Sequence, residues 1–282
     1  MSADTSASPS QVALLGGQEP VAVRCARKAE VPDDPIRVLL VHGLCSNAAI
    51  WDAFVALADP RCELWVAELP WRGTGIAGWT SQPVEEWIGQ AVARMPGGPD
   101  VVVAHSFGTN AVLSWLDRQD TGPSGRIAVG GRELRGVVLV SPLYRAEPED
   151  FDWDSIGYYL HNFDQILAAG MRVRPGSRRL SPEQRLAIAV KVRDLIGPYG
   201  WIRFLDTYLR MPEVRTERLL MPFLVVGGES DSIAFPADSE ALGKALPDAS
   251  VHILPGSEHF PMVASAESFA DLANTFLRTL SA

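Results

Sequence analysis

Lysine and cysteine are both scarce in this chain. Of its 25 basic residues only Lys28, Lys191 and Lys244 are lysines, a bias that points to a GC-rich genome and a bacterial source. The formal net charge is −9 and no basic patch stands out, which argues against nucleic-acid or anionic-membrane partners. Cys25, Cys45 and Cys62 are odd in number and lack metal-ligand spacing. That excludes a disulfide framework, leaves no metal or cofactor motif and fits a reducing compartment. No apolar run approaches the roughly 18 residues of a membrane helix. Met1–Ser10 are small and polar without the apolar centre of a signal peptide, so 1–10 reads as a flexible N-terminus and the expected location is cytoplasmic.

What is present is a chain long enough for one large core, alone or with a modest insertion. Short apolar runs recur at Ile36–Val41, Leu64–Ala67, Val101–Ala104, Val137–Val140, Phe223–Val226 and Val251–Leu254. Each is apolar on both faces and leads through turn residues into a helical pattern. This predicts an α/β protein with a mostly parallel central sheet flanked by helices. Val12–Leu15 and Val21–Cys25, parted by Gly16-Gly17-Gln18-Glu19, read as an antiparallel hairpin at the sheet edge. Helices are expected over 47–58, 83–94, 107–118, 237–246 and 261–280, and Thr121–Leu134 reads as an exposed loop. The rhythm breaks over 143–218, which holds no buried-strand run but carries helical patterns at 182–196 and 199–210. That stretch is expected to be a helical cap on the ligand-binding edge of a core formed by 11–142 and 219–282.

The segment Ala104-His105-Ser106-Phe107-Gly108 carries the chemistry. A β-branched strand ends at a small residue, and a second small residue opens the next helix. The resulting sharp turn would hold the Ser106 hydroxyl out of the sheet. The simpler alternative is a strand running into a serine-capped helix. A serine nucleophile needs a base and an acid to orient it. Among the five histidines, His252 lies inside a strand and His105 inside the turn, where it packs beside Ser106. His161 falls in the cap. His259 follows the last strand, in a loop that can reach Ser106. Asp231, after the preceding strand, is the acid candidate, with Glu229 the competing carboxylate. The backbone N–H groups of Leu44, freed by the bend at Gly43, and Phe107, at the helix start, are the candidate oxyanion donors.

His42-Gly43, Pro70-Trp71-Arg72-Gly73-Thr74-Gly75, the Ser106 turn, Gly228-Glu229-Ser230-Asp231 and the late His259 together resemble the α/β-hydrolase superfamily. The resemblance covers 20–142 and 219–282. It implies Ser106 as nucleophile, His259 as base, Asp231 as acid, and Leu44 and Phe107 as oxyanion donors. Serine at the turn argues against epoxide-hydrolase and haloalkane-dehalogenase chemistry. The absence of His-Gly-Gly-Gly argues against esterases of the hormone-sensitive-lipase type. The expected activity is a serine esterase or thioesterase acting through an acyl-enzyme on an apolar or aromatic acyl substrate, free or carrier-bound. Alternatives on the same fold are an acyltransferase or cyclising enzyme, a cofactor-free C–C hydrolase, and a non-catalytic ligand-binding protein. The candidate pocket residues are His42, His105, Trp153, Tyr158, Tyr159, His161 and Trp201. Cys45, beside the oxyanion turn, reads as a small buried hydrophobe.

Overall fold

A computed structural model of the chain describes residues 21–31, 34–71, 79–121, 126–171 and 180–280. The apolar runs become strands β1 Ala22–Arg27, β2 Ile36–Val41, β3 Cys62–Glu68, β4 Val101–His105, β7 Gly136–Val140, β8 Phe223–Gly228 and β9 Ala249–Leu254. They form a sheet in the order β1-β3-β2-β4-β7-β8-β9, parallel except for the antiparallel edge strand β1. The strand expected at Val12–Leu15 lies outside the described residues. The short pair β5 Ala128–Val129 and β6 Arg132–Glu133 corrects the reading of Thr121–Leu134 as a plain loop. Gly130 and Gly131, both at positive φ, turn that hairpin, and Ile127, Val129 and Leu134 are buried beside it.

Helices cover both sheet faces. They are α1 Asp52–Leu57, α2 Val84–Arg94, α3 Phe107–Asp117, α4 Trp153–Met171, α5 Pro182–Leu209, α6 Pro236–Ala245, α7 Pro261–Ala264 and α8 Ala266–Thr279. The expected helix at 47–58 opens instead as a 3-10 turn, Ala48–Trp51, because the Asn47 side chain accepts from the Ala49 N–H. The expected helix at 261–280 is two helices, broken at the non-helical Ser265. The two patterns expected at 182–196 and 199–210 join as α5 across a kink at Gly197, whose φ of 62° precedes Pro198. Helix α4 was not foreseen, although Tyr159, Phe163 and Ile166 recur at helical spacing.

Strand order reverses between β2 and β4. In open α/β sheets such a switch point leaves a crevice at the strands' C-terminal ends. Register brings the chain ends into line there: Val41 faces Ala104, and His105 faces Val140. β4 and β7 are buried along their whole length, so the loops that leave them start from a rigid base.

Candidate active site

Ser106 sits at the apex between β4 and α3 with φ 54° and ψ −129°. Such a backbone costs about 1–3 kcal/mol in a residue with a Cβ and persists only where neighbours enforce it. Here the Ser106 N–H donates to the Val140 carbonyl at 2.9 Å, and the Ser106 carbonyl accepts from the Thr109 N–H at 2.7 Å and the Thr109 hydroxyl at 2.6 Å. Gly108 is small for a measurable reason: a Cβ there would meet the His42 carbonyl at 2.7 Å.

The turn delivers the Ser106 hydroxyl to His259. The distance from Oγ to the His259 Nε2 is 2.9 Å, and the His259 Nδ1 lies 2.9 Å from the Asp231 Oδ2. All three residues are buried. A carboxylate can only accept, so Nδ1 carries the proton and Nε2 accepts from the serine hydroxyl. The turn after β8 fixes the carboxylate, because the Asp231 Oδ1 accepts from the N–H groups of Ile233 at 2.8 Å and Ala234 at 3.0 Å. Glu229, the competing carboxylate, faces away and accepts from the Gly256 N–H.

The loop after β2 abuts the same serine. A Cβ at Gly43 would lie 2.9 Å from the Ser106 Cβ, so only glycine allows this approach. Leu44 and Phe107 both line the cavity above Ser106. The loop is pinned from behind. The His42 Nε2 accepts from the Leu69 N–H, the Trp71 Nε1–H donates to the His42 carbonyl, and the Cys45 N–H donates to the Trp71 carbonyl. His42 is therefore a strut beneath the loop rather than a pocket residue. Residues 72–75 of the Pro70–Gly75 turn lie outside the described residues.

The cavity spans about 820 Å³ when the open solvent at its mouth is counted with it. Its far wall comes from α4, with Tyr159, Phe163, Ile166 and Leu167, and from α5, with Ile188, Val192 and Phe204. Leu143, Ile233 and Phe260 complete it at the sheet edge. Among the described residues, no Asp, Glu, Lys or Arg lines the cavity. The Tyr159 hydroxyl donates to the Ile233 carbonyl, and burial pushes its pKa up, which keeps the wall neutral. Of the candidate pocket residues, His105 and Tyr159 line the cavity and five do not. Trp153 is 88 % exposed. His161 is exposed on the outer face of α4 and hydrogen-bonds the Gly157 carbonyl. The Tyr158 hydroxyl turns to the Ser232 carbonyl. Trp201 packs behind the wall, against Phe163 and Phe204. His42 is the loop strut already described. The aliphatic wall residues Ile188 and Val192, four positions apart on α5, escaped the sequence reading because it weighted aromatic residues.

Asp238 on α6 is another buried carboxyl. Its carboxylate stands 3.7 Å from the Arg145 Nε, which also donates to the Tyr208 hydroxyl at 3.2 Å. Its Oδ2 has no hydrogen-bond partner among the described residues. Burial raises this carboxyl to about 7; Arg145 opposes the rise and Asp231 adds to it. The folded protein thus holds a proton that the unfolded chain releases above pH about 4, and Asp238 costs stability as pH climbs from there to about 7. Replacing Asp238 with asparagine removes the titration. In urea unfolding, the stability of the variant relative to wild type should improve by about 3 kcal/mol between pH 5 and pH 8. Parallel pH profiles would contradict this.

Among the described residues, no group of three or more His, Cys, Asp or Glu is placed to hold a metal. Nor is any helix long and apolar enough to cross a membrane. All three cysteines are free thiols.

A parallel sheet with a strained serine turn at its switch point defines a class of folds, and the comparisons agree. The profile of the alpha/beta hydrolase family matches residues 38–272. The chain belongs to that family. Solved structures with the same fold include an esterase, RhEst1, from Rhodococcus sp. ECU1013, with 17% identity, TM-score 0.62 and coverage of 92% of this chain and 95% of that one. The enol-lactonase from Burkholderia xenovorans LB400 matches with 17% identity and TM-score 0.59, covering 92% and 96%. A monoacylglycerol lipase from Paleococcus ferrophilus matches with 17% identity and TM-score 0.57, covering 92% and 98%. A search of curated proteins finds no match.

Proposed function

We propose that the protein is a serine hydrolase that cleaves carboxylic esters or thioesters of neutral, apolar acyl groups. The observation that carries this reading is the continuous hydrogen-bonded line from the Ser106 hydroxyl through His259 to Asp231. In this reading Ser106 attacks the acyl carbonyl as His259 takes the hydroxyl proton at Nε2. The N–H groups of Leu44 and Phe107 face the oxyanion of the tetrahedral intermediate. The imidazolium, held by Asp231, returns the proton to the leaving alcohol or thiol. Water then adds to the acyl-enzyme by the same steps in reverse role, releasing the acid and the free serine. Helices α4 and α5 serve as a cap that encloses the acyl chain. An activated oxygen or sulfur leaving group suits this arrangement better than an amide, since it departs more easily. The esterase, lactonase and lipase among the structural neighbours are compatible with the reading.

The uncharged wall supplies a direct test. 4-Nitrophenyl hexanoate and the mono-4-nitrophenyl ester of adipic acid present acyl chains of equal length, one ending in a methyl group and one in a carboxylate. Burying the carboxylate without a partner costs several kcal/mol. The hexanoate should be hydrolysed, with kcat/KM at pH 7.5 about 10²-fold above that of the adipate. Equal rates would overturn the acyl-pocket assignment, and no turnover of either ester, nor of hexanoyl thioesters, would overturn the reaction.

A further inference from the structure

We propose that His105 is a positioning residue that sets where the His259 ring stands against Ser106 and Asp231. The inference rests on the acyl-transfer reading of Ser106 and His259 and adds a part to it. His105 is the last residue of β4 and is buried, 1 % exposed, within a strand whose every residue is buried. Its Nε2–H donates to the main-chain carbonyl of His259 at 2.8 Å, across 154 residues of sequence. Its ring centre lies 4.9 Å from that of His259 and 4.7 Å from that of Phe260. The room it occupies is kept by Gly43, where a Cβ would come 3.1 Å from the His105 Nδ1.

The bond matters because of what it grips. His259 sits in a loop between β9 and α7, and Phe260 after it is non-helical, with φ −119° and ψ 64°. The loop is tied to the turn after β8, through Ser230 to Ser257 and Gly256 to Glu229. Those ties lie two or more residues before His259. The His105 bond holds residue 259 itself, and holds it to the strand that presents Ser106. The distance between the Ser106 Oγ and the His259 Nε2 is then set by two adjacent residues of β4 and its turn, one carrying the hydroxyl and the other gripping the base's backbone. A displacement of about 1 Å in a reacting group can cost about 10²-fold in rate, so a donor that removes this freedom acts on the chemical step. Substrate binding, governed by the apolar wall, should be left alone.

The test compares His105→Phe, His105→Gln and Ser106→Ala with wild type on 4-nitrophenyl hexanoate. Phenylalanine fills the ring's place without a donor. The glutamine Nε2 stands close to the position of the imidazole Nε2 and keeps the donor. The expected result is a 10- to 100-fold fall in kcat for His105→Phe, with KM within about threefold of wild type, and recovery by His105→Gln to within about threefold of wild-type kcat. A ring needed only for packing predicts the opposite pattern: phenylalanine, which fills the same space, would keep its melting temperature and kcat, and glutamine would lose both. The proposal is overturned if kcat of His105→Phe stays within threefold of wild type, if the loss appears in KM, or if glutamine fails to rescue. Should phenylalanine prevent folding, His105→Asn, whose shorter amide falls short of the carbonyl, makes the same comparison with glutamine. Activity retained in Ser106→Ala would instead remove the reading of the site on which the proposal stands.

Discussion

Ser106→Ala should lower hydrolysis of 4-nitrophenyl hexanoate by at least about 10⁴-fold while leaving the thermal midpoint nearly unchanged. The reason for the first half is chemical. Alanine offers no oxygen to the acyl carbonyl, and the residue that remains can only bind substrate and polarise it through backbone donors. The second half follows from how the turn is built. The strained backbone at 106 is held by its own N–H and carbonyl, which bond Val140 and Thr109, and alanine keeps both. Serine and alanine each carry a Cβ, so the cost of the positive φ is shared by both proteins. The side chain bonds His259, whose Nε2 faces the cavity and can take water when the hydroxyl is gone. Activity and circular dichroism measured on the same preparation separate the two halves. A variant that keeps a tenth of wild-type turnover would remove Ser106 from the reaction.

Asp231→Asn should be nearly as damaging, with kcat lowered about 10⁴-fold, although the substitution exchanges only one atom's chemistry. The Oδ1 of Asp231 accepts from Ile233 and Ala234 at the head of the turn. An asparagine satisfies both with its carbonyl oxygen. Its amide nitrogen is then forced to the Oδ2 side, opposite the His259 Nδ1. Two donors cannot face each other, so the imidazole moves its proton to Nε2 and accepts at Nδ1. The Nε2 now offers a proton to Ser106 instead of a lone pair, and it cannot take one away. The effect should sit in kcat, with KM and the melting temperature little changed. If Asp231→Asn lost less than tenfold, the carboxylate would be a turn-forming residue and not the partner of the base.

The serine turn was legible in the sequence because β4 is apolar on both faces and stops abruptly between small residues. Physical spacing demands such residues there, as the 2.7 Å approach at Gly108 shows. His259 was legible by position: loops that follow parallel strands gather at one sheet edge, and it follows the last strand. Choosing Asp231 over Glu229 could not be argued from distance along the chain. It depends on a turn of three residues that throws one carboxylate toward the His259 ring and the other toward the Gly256 N–H. The pocket was the least legible part. Aromatic content says nothing of direction, and α4 carries Trp153 and Leu160 on its exposed face and Tyr159, Phe163 and Ile166 on its inner one. Helical phase separates these sets once the helix is placed, but α4 was not placed. Aliphatic wall residues such as Ile188 and Val192 carry no signal that distinguishes lining a cavity from filling a core. His42 illustrates a further ambiguity, since a buried imidazole at a functional loop can serve wholly as a backbone strut.

Whether the hydroxyl of Ser106 is a nucleophile is decided most directly by covalent capture. Incubation with a fluorophosphonate, followed by proteolysis and mass spectrometry, should place a single adduct on Ser106. The label should be absent from Ser106→Ala and greatly slowed in Asp231→Asn. An adduct at another serine, or equal labelling of the alanine variant, would contradict the account at its root.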